Sequence, residues 1–269
     1  MSSTDPADPR EPGSRPPAQV FGEIPAEGQL SRWLGLWSIL AAVVAGVVAW
    51  LIGETNLVWV APKGVAQLVL GHPFTAPTAQ TKQIAELATA VRLHGVFGAL
   101  LGLALGAVGG LARRSRRSAL TGALLGVGLG AAAGSSATVA GLPLYYRFRD
   151  SFTSDLVPSL LMHCGIWATI GASAAVALAV GAGRGQSRLV RALLGGAMGA
   201  LLGAVAFEIL GAMFFANDQT GEPISTTAAT RLLARLLVAT FTAIGTSAAF
   251  GERRRMPAPG SAGPPREGC

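Results

Sequence analysis

The sequence predicts an all-α, polytopic integral membrane protein with six transmembrane helices, and three observations carry that prediction. Charged residues make up 13% of the 269, about half the ~25% usual in a soluble domain, and the mean hydropathy is +0.48. Six apolar runs, at about 33–53, 90–112, 119–142, 156–181, 192–215 and 232–250, each approach or exceed the roughly 20 residues a helix needs to cross about 30 Å of hydrocarbon. Glycine also recurs at intervals of four within several of these runs, which lets helices approach closely in lipid. Six such runs with so few charges exclude a soluble helical domain.

Residues 1–30 hold a cluster of prolines and acids and no apolar periodicity, so they read as a disordered tail. The run that follows is too long for the apolar core of a cleavable signal peptide. Between the first and second helices lies the longest connection, 54–88. Its stretch NLVWVAPKGVAQLVL either lies flat at the membrane interface or forms part of a small outer cap. After Pro77, TAQTKQIAELATAV reads as helix with Thr78 as N-cap, so helix 2 is expected to project above the membrane before entering it. RRSRR at 113–117 makes a tight turn into helix 3. The transmembrane domain spans 31–252, and 253–269 forms a second disordered tail.

The charge is strongly basic, +7 net, from 19 Arg and 2 Lys against 14 acids. In a soluble chain this would raise nucleic-acid binding; in a membrane protein it is read as orientation. With the N-terminus inside, Arg10, Arg15, Arg32, Arg113, Arg114, Arg116, Arg117, Arg184, Arg188, Arg191, Arg253, Arg254, Arg255 and Arg266 all fall on the cytoplasmic side, 14 of the 21 basic residues. Basic short loops stay inside, so both termini are expected in the cytoplasm of a cell whose inner membrane holds the protein. The Arg-over-Lys and Ala/Gly bias matches a GC-rich bacterial genome. No nucleic-acid role is expected, and the lipid bilayer is the partner the composition implies.

A weak internal repeat runs through the domain. AVGG (107–110), AVGA (179–182) and AFGE (249–252) end the inward helices, and GVVAW (46–50) matches GAVAF (203–207). This suggests three tandem helical hairpins, 31–112, 113–185 and 186–252. The layout resembles the mitochondrial carriers in architecture only. Their proline-plus-charge signature stands at none of these helices, and no function is carried over.

The glycine stripes are Gly98, Gly102 and Gly106 (continuing to Gly110) in helix 2, Gly122, Gly126 and Gly130 (continuing to Gly134) in helix 3, and Gly195, Gly199 and Gly203 in helix 5. The expected role is packing within the bundle, with self-association of two copies through one stripe as the sharper alternative. Ionisable residues stand at the ends of such stripes. Glu208, alone among nineteen apolar or glycine residues in 196–215, continues Gly196, Ala200 and Ala204 at spacing four. His94 precedes Gly98 by four, Arg235 precedes Ala239 and Ala243, and His163 leads through Trp167 to Gly171. At about 1.5 Å of rise per residue, Glu208, Arg235, His94 and His163 all fall in the outer half of the bilayer. Intramembrane charges face the bundle interior and mark function or pairing. The short loop between helices 5 and 6 makes a Glu208–Arg235 ion pair the expected partnership, with snorkelling of Arg235 to the outer surface as the other option.

No phosphate-binding loop, zinc-protease helix, CxxC pair, serine-hydrolase elbow or EF-hand is present. No cofactor, no metal and no enzymatic activity are therefore expected. A metal bound by His94, His163, Glu208 and Cys164 is disfavoured because adjacent helical residues such as His163 and Cys164 point about 100° apart. Two functions fit. One is a structural or assembly component whose polar layer locks helix register. The other is a small-solute or proton-coupled transporter or channel that uses the layer as a site. The geometric discriminator is whether these side chains converge on a cavity.

Overall fold

The computed structural model describes residues 27–55, 58–69, 72–151, 156–183, 185–215, 217–218 and 220–251. Both expected disordered tails fall almost wholly outside them. The order of elements is α1 (Glu27–Gly53), a hairpin β1 (Gly64–Val69) and β2 (His72–Pro77), α2 (Ala79–Ala112), α3 (Arg116–Phe148), a single 3-10 turn, α4 (Leu156–Gly181), α5 (Gln186–Phe214) and α6 (Ala228–Gly251). All six α-helices are long and apolar enough to cross a membrane. Consecutive helices pack in sequence, α6 closes back onto α1, and α2 also meets α4 inside. One end of the bundle carries the β-hairpin and the 217–227 connection; the other carries the arginines of 113–117. They are called the hairpin end and the arginine end.

The distribution of side chains is that of a protein dissolved in lipid. Leu36, Leu40, Val44 and Leu51 of α1, Leu120 and Leu124 of α3, and Leu194, Met198, Leu202, Ile209 and Met213 of α5 are all more than half exposed. Contiguous apolar surface of that extent would drive aggregation in water. The interior is instead rich in alanine and glycine, with Phe97, Leu101, Leu105, Ile166, Ile170, Phe207 and Val238 filling the space the small residues leave.

The small residues set the interhelical distances. In the antiparallel α2–α3 pair, Gly98 faces Gly130, Gly102 faces Gly126 and Gly106 faces Gly122. At each level a methyl group on one glycine would overlap the carbonyl of the other, so the backbones touch. Helix α5 has two such faces one residue apart. Gly195, Gly199 and Gly203 lie against Gly245, Phe241 and Val238 of α6, whereas Gly196 lies against Gly171 and Ala175 of α4. The sequence-identified stripes are thus all covered within the chain.

Two local features extend the sequence expectation. Thr78 is the N-cap of α2, its hydroxyl accepting from the Thr81 amide at 3.2 Å. Helix α2 accordingly starts at Ala79 and is 34 residues long, about 50 Å at 1.5 Å per residue, so its first turns stand clear of a 30 Å core. The second is the hairpin itself, paired antiparallel from Gly64↔Pro77 to Val69↔His72. It shows that part of the 54–88 connection is a strand pair, an addition to the all-α expectation. Its apolar residues do not alternate cleanly, which left no period-two signal to read.

Gly102→Leu is expected to lower the detergent melting temperature of the purified protein, because overpacking a close contact costs about 1–3 kcal/mol or more. Gly128→Leu, on the same α3 but with nothing within 4 Å of an added Cβ, is expected to leave it unchanged. Equal melting points for the two variants would refute backbone contact at Gly102.

Candidate functional site

The same spacing of four that brings α4 and α5 together continues past the last small residue, and polar groups occupy the next positions. Antiparallel pairing of Ala175 with Gly196 and of Gly171 with Ala200 carries forward to His163 opposite Glu208. Both are buried, His163 at 2% and Glu208 at 3% exposure. His163 Nδ1 lies 2.5 Å from Glu208 Oε1, and the Ser159 hydroxyl donates to the same oxygen at 2.7 Å. A carboxylate oxygen that accepts from both places the imidazole hydrogen on Nδ1, which leaves Nε2 as the second working nitrogen of the ring. Trp167 stacks on the imidazole with centroids 4.6 Å apart, and Phe207 meets it edge-on at 5.8 Å.

The α2–α3 stripe ends in the same way. His94 sits opposite Gly134, and its Nδ1 is 3.0 Å from the hydroxyl of Thr138, one step of four beyond. Thr138 donates to the Gly134 carbonyl at 2.7 Å. Its single hydrogen is then used, so it accepts from His94 Nδ1, and His94 also keeps Nε2 in reserve.

The expected Glu208–Arg235 pair does not form. Glu208 lies on the face of α5 that meets α4, about 100° round from the Gly195–Gly199–Gly203 face that meets α6. Arg235 instead reaches across to α1, where Nη1 donates to the Ala49 carbonyl at 2.5 Å and the guanidinium fills the space over Gly53. Its neighbour Arg231 forms the carboxylate pair, a two-pronged contact to Glu54 with Nε–Oε1 at 2.8 Å and Nη2–Oε2 at 2.7 Å. Arg231 Nη1 donates to the carbonyls of Ser225 and Thr226, and the guanidinium stands over the Trp59 ring. The hydrogen bonds from Arg231 hold the Glu54 carboxyl below the usual carboxylate range, and they clip the end of α1 to the start of α6.

Three of the four sequence-selected residues meet at one place. A half-open cavity at the hairpin end, about 40 Å³ in volume, is lined by His94 and Phe97 of α2, His163 and Trp167 of α4, and Arg231 and Arg235 of α6. Residues Pro223, Ile224 and Ser225 also line it. It holds a few water-sized groups. Glu208 is outside the lining, hydrogen-bonded to His163. The three helices that line the cavity run in the same direction, and below it Leu101, Ile170 and Leu178 are fully buried. Among the described residues no three His, Cys, Asp or Glu are placed to hold a metal ion.

Sequence reasoning missed Ser159, Thr138 and the Glu54–Arg231 clip. The first two had a signal: Ser159 is four residues before His163, and Thr138 four after Gly134, so extending each stripe by one step would have found them. The clip joins residues 177 apart in the chain and had none. In comparisons with known proteins, no family model matches the chain, and no curated protein or solved structure matches it significantly.

A double-mutant cycle on His163→Leu and Glu208→Leu is expected to give a coupling energy of about 1–3 kcal/mol in stability. Either single change strands a buried polar group, at about 3–5 kcal/mol where it is charged, whereas the double variant is expected to recover part of the loss. Additive single effects would show that the two side chains do not interact.

Proposed function

We propose that the protein is a proton-coupled small-solute transporter whose binding site is the cavity at the hairpin end. The observation that carries this reading is convergence: His94, His163 and Arg235, from three different helices, line one cavity. A layer that served only to lock helix register would be expected to pair off at separate interfaces, leaving no space between its members. Behind the cavity, the Glu208–His163 pair supplies a group that can hold or release a proton. His163 links that pair to the cavity wall, so protonation and occupancy act on the same ring.

In this reading the hairpin end faces away from the cytoplasm. The arginines of 113–117 and the 182–185 connection sit at the opposite end, and the positive-inside bias orients that end inward in the inner membrane of a bacterial cell. Access from the second side would require α2, α4 and α6 to part around Leu101, Ile170 and Leu178.

The test is flux. Proteoliposomes holding the wild-type protein are expected to accumulate a solute from a small-molecule panel when an inward proton gradient is imposed. Glu208→Gln is expected to retain binding while losing at least about ten-fold of gradient-driven uptake, the scale of one lost charged interaction. Wild-type vesicles indistinguishable from empty ones would remove the transport reading, and unchanged uptake in Glu208→Gln would remove the proton's route.

Orientation has its own measurement. A cysteine placed at Ser115, after Cys164 and Cys269 are replaced by serine, is expected to be protected from an impermeant maleimide in intact cells and labelled after lysis. One at Lys63 should label in intact cells. The reverse pattern would invert the topology.

A further inference from the structure

We infer that the solute bound in this cavity is a small monovalent anion, seated on the Arg235 guanidinium. The inference deepens the transport reading and rests on the same cavity. It follows from a charge inventory of the lining. Arg231 has Nε and Nη2 on the Glu54 carboxylate and Nη1 on two carbonyls, so its charge is matched and four of its five donors are engaged. Arg235 is 9% exposed, and among the described residues its hydrogen bond is the single one from Nη1 to the Ala49 carbonyl. No carboxylate lies within ion-pair distance of it among those residues. A guanidinium carries five donors in a fixed fork; most of those on Arg235 have no acceptor among the described residues.

A buried cation without a full counter-charge costs several kcal/mol; Glu54 attracts Arg235 but is already paired with Arg231, so the three groups together keep one net positive charge. No carboxylate is among the lining residues. Of the two nearby acids, Glu54 is held by Arg231, and Glu208 accepts from His163 and Ser159. Besides Arg235 and the carboxylate-paired Arg231, the lining is the two imidazoles, Ser225 and mostly apolar surface from Leu93, Phe97, Trp167, Ile224 and Ala234. Such walls exclude water and strengthen a charge contact. One uncompensated positive charge selects one negative charge, because a dianion would leave a net charge buried in turn. The cavity, with about 40 Å³ open to water-sized groups, suits a small anion such as chloride, nitrate or formate.

The test is a titration of the purified full-length protein in lipid nanodiscs with sodium chloride, nitrate and formate, at ionic strength held constant with gluconate. Thermal unfolding and isothermal titration calorimetry are the readouts. At least one anion is expected to raise the melting temperature saturably, whereas neutral solutes of similar size are not. Arg235→Gln is expected to weaken the apparent affinity roughly ten- to hundred-fold, the effect of losing a charged hydrogen-bond donor. Arg235→Lys, which keeps the charge without the fork, should fall between the two and serves where the glutamine variant does not fold. No anion effect beyond gluconate, or affinity unchanged in either variant, would overturn the inference. The two readings fail separately. Proton-driven uptake of a neutral or cationic solute without anion binding leaves transport standing and removes the anion. Saturable anion binding without flux keeps the site and removes transport.

Discussion

Everything in this structure depends on backbones that touch. Between α2 and α3 the glycines at 98, 102 and 106 oppose those at 130, 126 and 122 so closely that no β-carbon fits at any level. In lipid there is no hydrophobic gain from helix association, so close van der Waals contact, together with weak Cα–H···O contacts, must supply the attraction. Close contact also fixes register. A helix whose glycines are seated against a partner's carbonyls cannot slide by one residue without driving side chains into backbone. Register in turn decides which residues meet where the stripe ends, and on two interfaces it ends in polar groups: His94 with Thr138, and His163 with Glu208. The polar layer is therefore positioned by the small residues below it rather than by its own attractions.

That dependence explains what could be read from the sequence. The six helices were legible because each is a long apolar run, and spanning length is a one-dimensional property. The stripes were legible because spacing of four is local to one helix. Pairing Glu208 with Arg235 failed because partnership is a property of two helices. Residues 195 and 196 both begin small-residue series on α5, one facing α6 and the other α4, and nothing local distinguishes them. Loop length argued for α5–α6 adjacency, which is present, but Glu208 belongs to the other series. The Glu54–Arg231 clip was hidden for a related reason: it depends on α6 closing onto α1, the longest-range contact in the fold.

The two arginines of α6 show how the same residue type, one turn apart, acquires different roles. Arg231 stands at the end of the helix, within reach of a carboxylate, two carbonyls and the face of Trp59. It behaves as a fastener, with four hydrogen bonds to protein oxygens. Arg235 is one turn deeper, beside the small residues Ala49 and Gly53, where α1 offers a carbonyl and the adjoining acid, Glu54, is already held by Arg231. Small residues on α1 make the room, and that room gives Arg235 a way to lie against α1 without an ion-paired carboxylate of its own. The packing that brings helices together thus leaves this cation in place and unmatched.

Burying an unmatched guanidinium in a bundle of alanine and glycine runs against stability, and the rest of the structure shows that the chain has ready means to avoid it. Arg231 is satisfied four residues away, and Glu208 is satisfied by two hydrogen bonds on α4. Replacing Arg235 with an apolar residue would fit the surrounding composition. Two of the three buried ionisable side chains at this level have partners in the protein, and the third lines a cavity with room for one. A charge that the fold leaves open, next to a space the fold also leaves open, is accounted for by a ligand that completes both.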